Sequence, residues 1–171
     1  MVDITSDAAT ATVPFEVRLE DLIPIGHRLA CGMLHDPAQA EDAVQEAAIK
    51  AWRKRGRLRP GSDPRPWFLA IVANECRTLM RGRWWSTLRF PVLERPAPGA
   101  DEEVLRGADL RRAILSLPPR ARLVIVLFFY LDLPLEEVAR VAGLSTSAAR
   151  GRLYRSIKRL RPQLDPEEAL R

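Results

Sequence analysis

Three side chains with metal-ligating chemistry, His27, Cys31 and His35, stand four residues apart and would share one face of a helix. Three ligands from one helix rarely close a tetrahedral site, and Pro24 and a helix end near Leu34 disturb the geometry. Two polar histidines beside a partly buried thiol are expected, with no metal site and no cofactor. No Gly-rich phosphate loop, nucleophile elbow or carboxylate pair suggests an enzyme. The spacing fits nucleic-acid recognition better. From Thr146 onward, Ala149, Leu153, Ile157 and Leu160 recur as an apolar stripe, while Thr146, Ser147, Arg150, Gly151, Tyr154, Arg155 and Lys158 fall on the other side without an acid among them. A helix of this kind suits the major groove: its N-terminal residues reach base edges while its cations neutralise phosphates.

Such a helix needs a delivery element, and the residues before it provide one. Pro134 can open a short helix with Leu135, Val138, Ala139 and Ala142 at helical spacing, favoured at its start by Glu136 and Glu137. Gly143 can take the left-handed conformation that closes it, Leu144 is an apolar plug, and Ser145 is a good N-cap for the next helix. Residues 133–161 therefore predict a helix-turn-helix. A solvated basic helix in a bundle is the alternative.

A second basic region begins at Lys50. Arg53, Lys54, Arg55, Arg57, Arg59 and Arg65 are balanced only by Asp63, and Gly56, Pro60, Gly61 and Pro64 make the stretch a loop. The following helix is capped by Asp63, with Phe68, Ile71, Val72, Cys76, Leu79 and Met80 facing inward and Asn74, Arg77 and Arg81 on another face. Trp67 and the Trp84–Trp85 pair bracket it. Cations interleaved with aromatics suit single-stranded nucleic acid, although Trp52 and Trp67 are expected to fill the core.

Two further helices must support these elements. Phe15, Leu19, Leu22, Ile25, Leu29 and Met33 form a stripe that Pro24 should kink or split. Asp36, Pro37 and Gln39 then announce a helix to about Arg55 through a capping box. Its buried face is Ala40, Ala43, Val44, Ala47, Ala51 and Trp52, and Asp42, Gln45, Glu46 and Ile49 form a mostly polar second face. Beyond the linker, residues 104–117 resume helical spacing. Arg120 to Leu131 is apolar on nearly all sides and should be the centre of the second domain.

The 171 residues carry a net charge of +5, which suggests a polyanionic partner, and the 47% apolar content suffices for real cores. No apolar run is long enough to span a bilayer, the start lacks a signal peptide's order, and two cysteines make no disulfide framework. A cytoplasmic protein without membrane insertion is expected. The fold class is all-α, two small helical domains joined by a flexible linker. The divisions are a mobile tail at 1–14, a first domain at 15–85, a linker at 86–103, a second domain at 104–164 and a short acidic tail at 165–171.

The order DPAQAEDAVQEAAIKAW, a basic Gly-containing loop, PWFLAIVANECRTLMR and LRRAILSLPPRARLVIVLFFYLDLPLEEVARVAGLSTSAARGRLYRSIKRLR resembles bacterial extracytoplasmic-function sigma factors of the sigma-70 family. The resemblance covers nearly the whole folded chain. It implies partners: core RNA polymerase, through its largest and second-largest subunits, promoter DNA and an anti-sigma factor. It also implies residue roles. Asp42, Gln45 and Glu46 match positions that dock on the clamp helices of the largest subunit. The loop from Gly56 to Pro64, with Arg55, Gly56, Arg57 and Arg59, matches the one that captures an unstacked minus-ten base, and Asn74, Arg77 and Arg81 lie on the helix beside it. Thr146, Ser147, Arg150, Tyr154, Arg155 and Lys158 match the minus-thirty-five reader. Ala148 and Ala149 depart from the family's usual Thr-Val, and Gly151 from a common Ser. Two other classes fit part of the chain. A sigma-like adaptor would bind an anti-sigma factor without DNA, and its basic recognition surfaces would be lost. A stand-alone helix-turn-helix repressor would leave the Asp42 face unexplained.

Overall fold

The computed structural model describes the backbone of residues 15–59, 61–86 and 102–164 and the side chains of 19–59, 61–82 and 107–161. The tails, residues 87–101 of the linker and the side chains of Trp84 and Trp85 lie outside the described residues. All regular structure among the described residues is helical.

The first half is a three-helix unit. Helix α1 (Phe15–Leu34) packs on α2 (Pro37–Lys54) and both pack on α3 (Pro64–Ser86). Pro24 does not split α1. Pro24 and Glu20 both lie on the exposed side of α1, where water is at hand for the carbonyl that proline's missing N–H leaves without its usual donor. Gly26 lets α1 approach α3, since a Cβ there would stand 2.8 Å from Phe68 Cε1. Asp36 caps α2 as expected, accepting from the Gln39 amide N–H at 3.1 Å. The Gln39 side chain turns back to the cap residue, its amide nitrogen donating to the other Asp36 carboxylate oxygen. The alanine face of α2 is buried as expected. Trp52 corrects the reading: it is 41% exposed, outside the buried face and the core, because the helix ends at Lys54 and a 3₁₀ turn (Arg55–Arg57) carries Arg55 across its ring. Trp67 is partly buried against the core.

The second half comprises α4 (Glu102–Ser116), α5 (Pro119–Ile125), a π-helical turn (Val126–Tyr130), α6 (Leu135–Ala142) and α7 (Thr146–Leu164), with α7 packed on α4, α5 and α6. Residues Ala121 to Leu127 are buried as a central helix requires. At the π turn, where the Leu131 N–H donates to the Val126 carbonyl at 3.0 Å, the wider winding swings the next side chains outward. Phe129 is 60% exposed and Tyr130 is exposed too, so the apolar run is not buried on all sides.

The halves are packed together in this structure. α3 lies against α6, α1 lies against the π turn, and one continuous cluster of buried apolar side chains runs through both. Gly32 makes the approach possible, since a Cβ there would sit 2.6 Å from Val126 Cγ1. Arg122 from α5 donates across the seam to the Met33 carbonyl at 2.7 Å. Arg28 Nη2 donates to the Tyr130 carbonyl at 2.9 Å, and Arg65 Nε stands 3.3 Å from Glu137 Oε1.

Candidate nucleic-acid interface

The helix pair forms as its residue types require. Helix α6 begins at Leu135, one residue later than expected, with Pro134 at the cap. Gly143 takes φ +67°, and two closing bonds satisfy the last carbonyls of α6: Leu144 N–H to Ala139 at 2.9 Å and Gly143 N–H to Arg140 at 3.3 Å. Ser145 Oγ accepts from the Ala148 N–H at 3.2 Å and so caps α7. On α7 the stripe Ala149, Leu153 and Leu160 is buried and Ile157 is packed against the core. Ser147, Arg150, Arg155 and Lys158 are exposed, Thr146 is half-buried and Tyr154 is 70% exposed. Gly151 leaves room for a neighbour: a Cβ there would meet Arg155 Nη1 at 3.2 Å. The result is an outward basic and aromatic strip on a rigid, doubly capped helix pair, suited to a groove lined by phosphates.

The second basic surface lies between α2 and α3. Arg55 stacks over Trp52 at 4.4 Å from the ring centroid and donates to the Trp52 carbonyl at 2.9 Å. Gly56, Arg57 and Arg59 are exposed. The Arg59 carbonyl accepts from Ser62 N–H and Oγ at 3.1 and 2.7 Å, and Gly61 at φ +73° turns the chain toward α3. Asp63 caps α3 by accepting from the Arg65 N–H at 2.9 Å. The Arg65 side chain points elsewhere, into the seam beside Glu137. Along α3, exposed Asn74 accepts from Arg77, and Arg81 donates to Thr78 Oγ1 at 3.3 Å. Desolvation, then the like charges of Arg120 and Arg81, lower the pKa of Arg77. The loop cations, the Trp52 ring and the polar face of α3 together offer charge and a flat partner.

On α2, Asp42, Gln45, Glu46 and Ile49 are all exposed. Gln45 donates to Glu41 at 3.2 Å, and Lys50 bridges Glu46 at 3.1 Å and Glu75 at 2.6 Å, which raises the lysine's pKa, the Glu75 hydrogen bond first. An acid and amide face thus projects from a helix whose opposite side is alanine against the core.

The His27, Cys31, His35 series does not converge. His27 lies against Cys31 Sγ at 3.6 Å, while His35, at φ +53° past the end of α1, stands with Nδ1 3.2 Å from the Cys31 carbonyl. Burial, above all, lowers the pKa of His35 and raises that of the Cys31 thiol. Sequence reasoning missed the buried polar set Arg122, Glu137 and Ser156 and the spacing glycines Gly26 and Gly32. For the glycines the signal was present, as both interrupt a helical stripe where alanine would serve better.

Comparison with known proteins gives a consistent result. The family model for sigma-70 region 2 matches residues 19–86, and that for sigma-70 region 4 matches residues 108–160. The chain is 30% identical over 143 residues to the RNA polymerase sigma factor SigV of Bacillus subtilis, covering 83% of this chain and 86% of that protein. It is 31% identical over 136 residues to the RNA polymerase sigma factor CarQ of Myxococcus xanthus, covering 77% and 78% of the two chains. The fold is similar to that of the sigma factor RpoE of Bartonella quintana, solved in complex with the anti-sigma factor NepR. The TM-score is 0.69 with 25% identity, over 88% of this chain and 96% of that one.

Proposed function

Because the chain belongs to the extracytoplasmic-function group of the sigma-70 family of RNA polymerase sigma factors, we propose that it binds core RNA polymerase and directs promoter-specific initiation through minus-ten and minus-thirty-five elements. The observation that carries this reading is the pairing of two surfaces in one chain. An acid and amide face is kept exposed on an alanine-packed helix, and an acid-free reader helix is presented by a helix-turn-helix. A repressor would need only the second surface, and an adaptor that ignores DNA would need only the first.

In this reading residues 15–85 and 104–164 are the two working domains, joined by the linker 86–103. Asp42, Gln45 and Glu46 dock on the polymerase clamp. Arg55, Gly56, Arg57, Arg59, Asn74, Arg77 and Arg81 engage the minus-ten strand. Thr146, Ser147, Arg150, Tyr154, Arg155 and Lys158 read the minus-thirty-five element. The protein catalyses nothing itself and works in the cytoplasm; no described helix is long and apolar enough to cross a membrane. Solved relatives such as RpoE are complexed with anti-sigma factors, and an anti-sigma partner is proposed for this chain by that analogy.

Size requires a conformational step. The two elements are separated by about 25 base pairs, or roughly 85 Å at 3.4 Å per pair. A compact fold of about 130 residues has a radius of gyration of only about 14 Å. The packed form cannot span both elements, so the seam between α1–α3 and α5–α6 opens for initiation.

The test is pull-down with core RNA polymerase. Charge reversal by Asp42→Lys with Glu46→Lys should weaken co-purification at least tenfold without unfolding the chain, since both side chains are exposed and Lys50 retains Glu75. Unchanged co-purification would remove the clamp assignment.

A further inference from the structure

The seam holds a cavity of about 200 Å³ that shares Arg77 with the minus-ten surface, while Arg120 and Arg152 in its lining belong to neither promoter-reading surface. Arg77 reaches it from α3, Arg120 from α5 and Arg152 from α7, with Leu123 and Leu144 among its walls and no carboxylate in its lining. A second cavity of about 200 Å³ shares Arg120 and Arg152 and adds Arg155, Ser156 and Arg159. Neither the Arg120 nor the Arg152 side chain makes a hydrogen bond or ion pair with a described residue. Arg77 has only the neutral amide oxygen of Asn74.

Three guanidinium groups from opposite sides of the seam thus converge where the described chain supplies no counter-charge. The planar fork of each matches phosphoryl oxygens, and like charges gathered without an acid favour a ligand carrying several negative charges. Each cavity has room for a phosphoryl group or two, and the two adjoin at Arg120 and Arg152. Duplex DNA is too wide to enter. Arg152 is turned away from Arg150, about 200° around the helix at roughly 100° per residue, and shares the second cavity with Arg155 at the edge of the reader strip.

We propose that the Arg77, Arg120 and Arg152 cavity between the two halves is a binding site for an oligophosphate, either inorganic or the phosphate chain of a nucleotide. Because its arginines come from both halves, the ligand binds the packed form and holds it closed. Binding stands independently of the promoter reading, and only its consequence, reduced initiation, rests on that reading.

The experiment is calorimetric titration of the full chain with inorganic triphosphate at fixed ionic strength, using the parent, Arg77→Gln, Arg152→Gln and Arg150→Gln, each checked for folding by circular dichroism. One saturable site is expected, at least tenfold weaker in Arg77→Gln and in Arg152→Gln and unchanged in Arg150→Gln. Repeating the titration with ATP distinguishes the sources. Affinity equal to that of triphosphate indicates recognition of the phosphate chain alone, and tighter binding that is still lost in both seam variants indicates a nucleotide. Three outcomes overturn the proposal: no saturable binding, equal weakening in all three variants, or loss only in Arg150→Gln, which would place the anion on the reader helix.

Discussion

Arg122 on α5 donates 2.7 Å across the seam to the backbone carbonyl of Met33 at the end of α1, and its second terminal nitrogen donates to the carbonyls of Leu115 and Leu117. One buried cation therefore closes the C-terminal end of α4 and ties the first half of the molecule to the second. Desolvation pushes its pKa down to about 10, so it stays charged at neutral pH and its bonds are charge-assisted.

Replacing Arg122 by alanine leaves those carbonyls without their donor in a buried place. Stability should fall by about 2–4 kcal/mol in urea unfolding, and lysine, which lacks the planar fork, should recover only part of the loss. A change below about 0.5 kcal/mol would mean that the carbonyls find water instead. Because its folded pKa lies below its unfolded value, Arg122 carries a constant penalty below about pH 10, relieved only as pH rises beyond that.

Cys76 has the opposite sign. Buried on α3, its thiol is pushed up to about 12 from 9.0, chiefly by desolvation. The folded chain keeps the proton where the unfolded chain loses it, so the contribution is complete below about pH 9 and fades as pH rises toward 12. The slope there should be about 1.4 kcal/mol per pH unit at most. Cys76→Ala should remove that slope, measured by denaturant unfolding at several pH values. An unchanged slope would show that another group titrates.

The elements that sequence made legible are those specified by local chemistry. Asp36, Asp63, Gly143 and Ser145 each act on their own helix end, so their residue types suffice to place α2, α3, α6 and α7. The exposed face of α7 follows from the same logic, because 3.6-residue periodicity separates Arg150 and Lys158 from Leu153 and Leu160. What periodicity could not give was long-range partnership. Arg65 reads as one more cation of the basic loop until α6 brings Glu137 beside it. Arg122 is lost within a run read as apolar on nearly all sides until the fold places three carbonyls around it. Trp52 was misread because hydrophobicity counts a tryptophan as core, whereas here its ring serves as a platform for Arg55.

The reader helix makes a sequence-dependent prediction. If Arg150 contacts a base edge, Arg150→Ala should cost about 1–3 kcal/mol on the cognate minus-thirty-five element and much less on a scrambled one. Lys158→Ala should weaken both alike and reduce the slope of log affinity against log salt by about 1. Fluorescence anisotropy at several salt concentrations measures both quantities. Equal losses on both elements for Arg150→Ala would reassign it to phosphate contact.

The most direct measurement is run-off transcription by core RNA polymerase plus this chain over a promoter library varied at the minus-ten and minus-thirty-five positions, on duplex templates and on templates with a pre-opened minus-ten bubble. The parent chain should give transcripts that depend on both elements. Asn74→Ala combined with exchange of the loop from Gly56 to Pro64 should flatten the minus-ten dependence on both kinds of template, and Arg150→Ala should flatten only the minus-thirty-five dependence. Transcripts no more abundant than with core enzyme alone, or a variant chain that retains the parent's dependence on both elements, would contradict this account.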